Sequence, residues 1–274
     1  TLPTASAQVK SAILLAGLFA KGETLVHEPI PTRDHTERML KAMGANIGIN
    51  DRTIRLRSNV TSLTPLDMTI PGDISSAAYW LVAALCHPNA RILLKGVGQN
   101  PTRTGILEVL NLMGGHIVQT DAGVQGNEPL ATLTAETSTL HGIEVAGEMI
   151  PRLIDEIPLL ALTACFAQGT TVIRDSQELR LKESDRLRTT ARELSRLGAD
   201  VTELPDGLVI RGTGRLHGAA CNSHGDHRLA MTLGIAGLLA NGETTISGAD
   251  SASVSYPGFW DDLDSIAQHP TEVQ

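Results

Sequence analysis

The stretch Leu179–Leu197, LRLKESDRLRTTARELSRL, is a polar, arginine-bearing loop followed by a helix, and versions of it recur along the chain. The counterparts are PTRDHTERML at 31–40, NPTRTGILEVL at 100–110 and, more weakly, ADSASVSYPGFWDDL at 249–263. Each belongs to a unit that also contains an alanine-rich helix, a Gly or Pro turn and a short strand; the units begin at Gln8, Ser75, Ile157 and Arg228. Such repetition predicts stacked βα units whose loops converge on one surface.

Within each unit the order of apolar periods reads β-α-β-α-β-β over about 70 to 80 residues, which predicts an α/β (α+β) fold with helices on one side and a mixed sheet on the other. A hairpin with an Asn50–Asp51 turn is expected in the first unit. The polar stretch 120–142 is expected to be a long loop, and the Pro- and Gly-rich stretch 65–73 a crossover between two globular bodies. The predicted helices are 32–43, 76–85, 104–113, 157–166 and 183–197, and the predicted strands are 24–27, 91–95 and 171–174.

The bulk composition favours a globular chain with a sizeable core, since 42% of the 274 residues are hydrophobic. A formal net charge of −8 argues against a general nucleic-acid or anionic-membrane surface, so positive charge that matters must be concentrated in a pocket. The three cysteines are interpreted as reduced core residues, which predicts a reducing, cytoplasmic location. No apolar run is long enough for a membrane helix, and the start of the chain on a helical pattern suggests a larger domain with a missing N-terminal part.

Two clusters of charged residues stand at predicted helix starts. Lys182, Glu183 and Arg186 can hold an anion near free backbone N–H groups, although for this cluster alone an ordinary solvated helix start is the simpler explanation. His224, Asp226, His227 and Arg228 precede a strongly apolar helix, where Asp226 as an N-cap with a structural His227 is the simpler explanation. These residues have no partner cluster with ligand spacing, so a metal site is not expected.

Two further sites are candidates. Asp155 and Glu156 interrupt an apolar run just before a buried helix, where partial desolvation would raise the pKa of a carboxylate and suit it to proton transfer; capping by Asp155 is the alternative. Ser6 and Gln8 at the first helix, with Thr32 and Arg33 in the following loop, can offer donors to a phosphate, or simply cap helices. The chain has no Walker A, GxGxxG, GxSxG, CxxC or HExxH pattern, which disfavours nucleotide hydrolysis, dinucleotide redox chemistry, serine hydrolysis and zinc proteolysis.

Seven motifs stand in order along the chain: SAQVKSA, TRDHTERML, PGDISSAAYWLVAA, NPTRTGILEVL, IDEIPLLA, LRLKESDRL and GDHRLAM. Together they resemble the motifs of the 3-phosphoshikimate 1-carboxyvinyltransferase (EPSP synthase) family across essentially the whole chain. KESDR and DHRLAM are the most specific, and related UDP-N-acetylglucosamine enolpyruvyl transferases share the fold without this pair. The resemblance implies transfer of the enolpyruvyl group from phosphoenolpyruvate to the 5-hydroxyl of shikimate 3-phosphate, with no cofactor. It also implies an enolpyruvyl transferase-like fold of two bodies, each with three βαβαββ units around a pseudo-threefold axis.

The family's site residues carry over position by position. Asp155, Glu183 and Lys182 correspond to the groups that move protons, although the motifs do not settle which proton each one handles. The implied substrate-binding residues are Ser6, Gln8, Thr32, Arg33, Asp155, Lys182, Arg186, His227 and Arg228, and among these Arg186 and Arg228 resemble the clamps for the phosphoenolpyruvate carboxylate and phosphate.

Several positions depart from the family pattern. Ala7 stands where some members have a second Ser, and His35 replaces an aromatic residue. Val254 and Ser255 stand near the place of a phosphoenolpyruvate-contacting Lys. The family's N-terminal portion has no counterpart in these residues, so residues 1–71 are interpreted as the last unit of an incomplete first body and 72–274 as the three units of the second.

The missing portion leads to a further expectation: the chain needs a complementary N-terminal segment for activity and has little turnover alone. The rival hypothesis is a non-catalytic fragment that binds shikimate 3-phosphate and completes another chain. An RNA 3′-phosphate cyclase relative would need a nucleotide-reactive His and a basic groove, which neither the motifs nor the charge supports.

Overall fold

The computed structural model describes residues 1–57 and 62–268. Its α-helices are α1 Ala7–Gly17, α2 His35–Ala42, α3 Ile74–Cys86, α4 Gly105–Leu112, α5 Ile150–Leu153, α6 Ile157–Phe166, α7 Arg186–Arg196, α8 His227–Leu239 and α9 Phe259–Gln268. Its strands are β1 Glu23–His27, β2 Asn46–Asn50, β3 Thr53–Arg57, β4 Arg91–Gly98, β5 His116–Gln125, β6 Glu128–Glu136, β7 Glu144–Val145, β8 Thr170–Ile173, β9 Asp200–Leu204, β10 Gly207–Arg211, β11 Ala220–Asn222 and β12 Thr245–Ser247. The α/β class is therefore confirmed.

The predicted repeat is visible in the order of the sheets. Three times the chain runs helix, strand, helix, strand, strand, and each time the last strand lies between the other two: β1-β3-β2, β4-β6-β5 and β8-β10-β9. In the third copy β7 pairs in parallel with β8, which completes the βαβαββ unit, and β11 pairs in parallel with β12 in the fourth. A parallel pair needs a crossover connection, and the apolar helices α6 and α8 supply it.

One stretch was predicted wrongly. Residues 120–142 were expected to be a loop, but most of them belong to β5 and β6, which meet at a turn where Gly126 and Asn127 have φ values of 54° and 67°. Two successive positive φ values match the twist of a two-residue hairpin turn. Most of β5 is exposed and lacks an apolar alternation, whereas β6 buries Ala131, Leu133 and Ala135 at every second position. Two of these three buried side chains are only alanines, and they alternate with Thr and Glu, so the sequence of β6 gives a weak signal for a strand.

Helix starts differ by a few residues from the prediction. The helix expected at 183–197 begins at Arg186, because the Asp185 side chain caps it by accepting a hydrogen bond from the Arg188 N–H. The helix expected at 32–43 begins at His35. Helix α6 coincides with its prediction at 157–166, and the hairpin of β2 and β3 is confirmed. Lys182 and Glu183 therefore lie just before α7 rather than on it.

The chain divides into two compact units. The first is Thr1–Ile74, Lys95–Thr104 and Thr120–Thr132; the second is Ser75–Leu94, Gly105–Gln119 and the chain from Leu133 onward. In the first unit one face of α1 packs on its sheet through Leu14, near Val26, Leu40 and Leu56. In the second unit α6 is buried on every side apart from Phe166, as its uniformly apolar sequence predicts.

Candidate functional site

A buried ion pair between Arg186 and Asp226 is the centre of the candidate site in the second unit. Arg186 Nε donates to Asp226 Oδ2 at 2.8 Å and Nη2 donates to Oδ1 at 3.3 Å, with side-chain exposures of 2% and 0%. A fork of two N–H groups against one carboxylate fixes the plane of the guanidinium. The first residue of α7 is thereby tied to the residue that precedes α8.

Two more carboxylates reach the same guanidinium. Glu183 Oε2 lies 2.5 Å from Arg186 Nη2, and Asp155 Oδ1 lies 3.5 Å from Nη1. The other oxygen of Asp155 lies 3.9 Å from Arg228 Nη2. Four of the residues predicted from the sequence, Asp155, Glu183, Arg186 and Arg228, are thus brought together.

Asp226 also caps α8, as expected, by accepting from the N–H groups of Arg228 at 2.9 Å and Leu229 at 3.4 Å. Ser184 Oγ donates to its other oxygen at 3.0 Å. Burial alone would raise the pKa of Asp226, but the hydrogen bonds and charge of Arg186 outweigh it, so the pKa is lowered. Asp226 therefore holds its charge, orients the Arg186 guanidinium and caps the helix that carries Arg228.

His227 is the first residue of α8 and its side chain is 9% exposed, with Nδ1 at 3.7 Å from Glu183 Oε1. Burial and the neighbouring Arg228 charge lower the pKa of His227. At neutral pH the ring is therefore uncharged and can donate one hydrogen bond and accept another.

The N-termini of three helices lie close together around these groups. The Ser75 hydroxyl, on α3, hydrogen-bonds the buried Glu156 carboxylate, which immediately precedes α6. The Tyr79 hydroxyl donates to the Arg228 carbonyl at 3.4 Å, and burial raises the pKa of Tyr79 to about 12. Helix N-termini carry partial positive charge, so α6 and α8 add to the guanidinium groups in attracting an anion.

Asp155 and Glu183 differ in their access to solvent. The Asp155 side chain is 15% exposed and that of Glu183 is 47% exposed. The expected partial burial of Asp155 is confirmed, and Asp155 pairs with arginines rather than capping α6, whose N-cap is Glu156. The two arginines can bind an anion, and the two carboxylates beside them can exchange protons with it.

Lys182 takes a different partner. Its Nζ lies 2.5 Å from Glu178 Oε1, and its side chain is 28% exposed. His224, named in the sequence with Asp226 and His227, turns to Glu193 at 2.9 Å. The assignment of Lys182 to the reacting group stays a prediction.

The predicted residues of the first unit lie at the start of α1 and in the loop before α2, and one of them, Thr32, is linked through Glu28 to the buried Lys10. Ser6 caps α1 by accepting from the Val9 N–H at 3.3 Å, and Gln8 is exposed in the first turn. The Thr32 hydroxyl donates to Glu28, which also pairs with Lys10 Nζ at 3.1 Å. The Thr32 proton is thus engaged, and a phosphate oxygen would have to compete for it. Arg33, the next residue, is half-buried.

Lys10 is 1% exposed and pairs with a second carboxylate, Glu37, at 2.7 Å. Burial raises the pKa of Glu37 despite its bond to Lys10. This triad joins α1, the end of β1 and α2. Sequence reasoning missed it, as it missed the pairing of Asp226 with Arg186; the only available signal was a charged residue inside an apolar period.

Two other expectations concern the part of the chain that the structure describes. Within residues 1–57 and 62–268 no group of His, Cys, Asp and Glu side chains has the geometry to hold a metal ion. In the same residues no helix combines the length and apolar character needed to span a membrane.

The chain is similar to known proteins over nearly all its length. The model of the family described as EPSP synthase (3-phosphoshikimate 1-carboxyvinyltransferase) matches residues 1–263. A protein of that name from Desulforamulus reducens is 52% identical over 264 residues, 96% of this chain and 61% of its own length. One from Gloeobacter violaceus is 53% identical over 266 residues, with coverage of 97% and 61%.

Solved structures agree with the sequence relatives. An EPSP synthase from Acinetobacter baumannii superposes with a TM-score of 0.91 at 43% identity, covering 97% of this chain and 61% of that one. The enolpyruvyl transferase NikO from Streptomyces tendae shares the fold, with a TM-score of 0.76 at 23% identity over 93% of this chain and 57% of its own. The chain spans about 61% of the length of the curated relatives that it matches. The Arg186–Asp226 pair joins KESDR to DHRLAM, the two motifs that are most specific to this family. Because the family model matches residues 1–263, the chain belongs to the EPSP synthase family.

Proposed function

We propose that this chain carries the second half of an enolpyruvyl transferase site, which transfers the enolpyruvyl group of phosphoenolpyruvate to the 5-hydroxyl of shikimate 3-phosphate and releases phosphate. One observation supports this most directly. Arg186, Arg228, Asp155 and Glu183 form linked ion pairs of less than 4 Å at the starts of α6, α7 and α8. An anion with a reacting hydroxyl nearby needs these groups: cations to hold it and carboxylates to move protons.

In the proposed addition step, the 5-hydroxyl oxygen of shikimate 3-phosphate bonds to C2 of phosphoenolpyruvate, and Asp155 takes the proton of that hydroxyl. Glu183, in its protonated form, gives a proton to the methylene carbon. The product is a tetrahedral adduct. In the elimination step the bond from C2 to the phosphate oxygen breaks, and the methyl group returns a proton to Glu183. Phosphate leaves with the proton that Asp155 took from the hydroxyl, so both carboxyl groups return to their starting states.

Arg186 and Arg228 would bind the carboxylate and phosphate of phosphoenolpyruvate. In the free site their N–H groups already contact Glu183 and Asp155, so a bound anion must take over part of these contacts. The exposed Glu183 is free to turn away, whereas the fully buried Asp226 keeps Arg186 in place. Binding would therefore release the carboxylates for proton transfer. His227 and Lys182 complete this group of proposed contacts.

For shikimate 3-phosphate we propose Ser6, Gln8, Thr32 and Arg33, with Asp155 and Lys182 at its hydroxyls. These assignments rest on the match to the family motifs and on the exposed position of Gln8 at the start of α1.

All three cysteines, Cys86, Cys165 and Cys221, are free, which supports a reducing, cytoplasmic setting.

We also propose that activity depends on the N-terminal portion of the family's proteins, which has no counterpart in this chain. Residues 1–71 would then be the last unit of one body, and residues 72–274 would be the whole of the other. Support comes from exposed apolar side chains on α1 and just after it. Val9 and Leu15 on the helix are 47% and 50% exposed, and Phe19, which follows the end of the helix, is 91% exposed. Helices α6 and α8, at equivalent places in their repeats, are almost wholly buried. An apolar helix face of this kind is stabilised when another surface covers it.

The test is a mixing experiment. The 274-residue chain is assayed for phosphate release from phosphoenolpyruvate and shikimate 3-phosphate, alone and with the unmatched N-terminal portion of the Desulforamulus reducens relative. We expect turnover only in the mixture, and its loss in Asp155→Ala and Glu183→Gln. Turnover by the chain alone would refute the dependence on a second segment. Binding of both substrates by the mixture without turnover would instead favour a non-catalytic fragment.

A further inference from the structure

Glu193 is a fully buried carboxylate on α7 that the proposed reaction does not use. Its side chain is 0% exposed and accepts the Asn222 N–H at 3.0 Å, while its other oxygen lies 2.9 Å from His224 Nε2. Arg196 Nη1 lies at 3.4 Å. Burying a charge is costly unless hydrogen bonds compensate it, so this carboxylate stabilises the segment to which it bonds.

That segment is the turn 222–225, which leads directly into Asp226. His224 has a φ of 54° and Gly225 a φ of 73°, so two successive residues adopt left-handed backbone. This conformation is unfavourable for a residue with a side chain, by about 1–2 kcal/mol. The turn also uses local bonds: Asn222 Oδ1 accepts the His224 N–H at 2.6 Å, and Ser223 Oγ accepts the Gly225 N–H at 3.2 Å.

Helix α7 therefore holds the start of α8 at two points. Arg186 binds Asp226, and Glu193, seven residues later and on the same side of the helix, binds the turn before it. With both contacts in place, the direction in which α8 presents His227 and Arg228 is fixed relative to Arg186. With only the Arg186–Asp226 contact, the turn would relax from its left-handed conformation, and Asp226, the N-cap of α8, would rotate with it.

We propose that Glu193 is a positioning residue, acting with His224, that sets the distance between the Arg228 and Arg186 guanidinium groups and so the affinity for phosphoenolpyruvate. The proposal rests on the proposed function for its kinetic consequence, but not for its structural one. Small displacements of binding groups reduce binding steeply, because charge-assisted hydrogen bonds depend strongly on geometry.

The experiment compares Glu193→Ala, Glu193→Gln and His224→Ala in the reconstituted enzyme, with the exposed Glu243→Gln as the control. We expect Glu193→Ala to raise the KM for phosphoenolpyruvate about tenfold with little change in the KM for shikimate 3-phosphate. Glu193→Gln should regain most of the affinity, because its amide oxygen still accepts the Asn222 N–H. His224→Ala should give an intermediate loss.

A second readout needs no substrate. Hydrogen exchange of the amides of residues 222–229 should accelerate at least tenfold in Glu193→Ala while exchange in α6 stays unchanged. If the wild type has no turnover, the proposed function fails and the exchange result alone decides the role of Glu193. Unchanged exchange in Glu193→Ala would overturn the proposal. So would equal rises in both KM values that Glu193→Gln fails to rescue, which would indicate general destabilisation.

Discussion

The replacement Asp226→Asn tests whether the buried Arg186 depends on Asp226 for its charge balance. Asparagine caps helices about as well as aspartate, so the bonds to the start of α8 should survive while the negative charge is lost. Removing one partner of a buried ion pair costs about 3–5 kcal/mol. Glu183 and Asp155 still reach Arg186, at 2.5 and 3.5 Å, which places the expected loss of stability at the lower end, about 3 kcal/mol.

The matched replacement Asp226→Ala removes the cap as well as the charge. A lost N-cap adds about 1 kcal/mol, so this variant should lose about 4 kcal/mol. The measurement is equilibrium urea unfolding, combined with native-state hydrogen exchange of the buried α8 amides to assign the transition to the second unit. A loss below about 0.5 kcal/mol in Asp226→Asn would refute the charge argument, whereas equal losses in both variants would show that the cap contributes nothing.

The pH dependence of the same difference gives an independent check. The pKa of Asp226 is lowered in the folded protein, because Arg186 outweighs the effect of burial. A lowered pKa contributes stability that is present above the unfolded value of about 4 and is lost as pH falls through the folded value. The difference between wild type and Asp226→Asn should therefore be constant from about pH 6 to 8 and shrink below about pH 4. A difference that grows as pH falls would contradict this assignment.

Three further outcomes follow from other parts of the molecule. Lys10→Met should destabilise the first unit by about 3 kcal/mol, since it leaves two buried carboxylates without their cation. The loss of stability should be smaller at pH 5 than at pH 8, because burial raises the pKa of Glu37, which becomes neutral as pH falls. Gly207→Ala should destabilise the second unit by about 2 kcal/mol or more, because a Cβ would overlap a carbonyl oxygen of the neighbouring strand. Cys165 should resist thiol reagents at pH 8 until the protein is unfolded, because burial raises the pKa of its thiol to about 12.

The two substitutions have matched controls. Lys21→Met removes an exposed cation and should leave urea unfolding unchanged, as should Gly48→Ala, where a Cβ meets no atom within 4 Å. Rapid labelling of Cys165 in the native protein, measured by peptide mass spectrometry, would show that its helix opens easily. Equal effects of Lys10→Met and Lys21→Met would show that the buried triad contributes nothing specific.

Much of the fold follows from sequence because its signals are local. The apolar run at 157–166 predicts a buried helix with the observed bounds, and Asn50–Asp51 between alternating strands predicts the hairpin. The strands β5 and β6 escaped prediction because β5 is largely exposed and so lacks an apolar period. Strand β5 lies at the edge of its sheet and pairs with β6, which in turn pairs with β4. Such pairing holds a strand without requiring an apolar period in the strand's own sequence.

The candidate site shows the same division. Sequence by itself determined the repeated units, the family and the residue types for binding anions and moving protons, since these depend on order and spacing along the chain. Only the tertiary structure decided that Arg186 pairs with Asp226, that Lys182 turns to Glu178, and that Glu193 supports the turn before α8. Hydrogen bonds and ion pairs select partners by distance and burial in space, and residues 40 apart in sequence, such as Arg186 and Asp226, meet only when the packed helices bring them together.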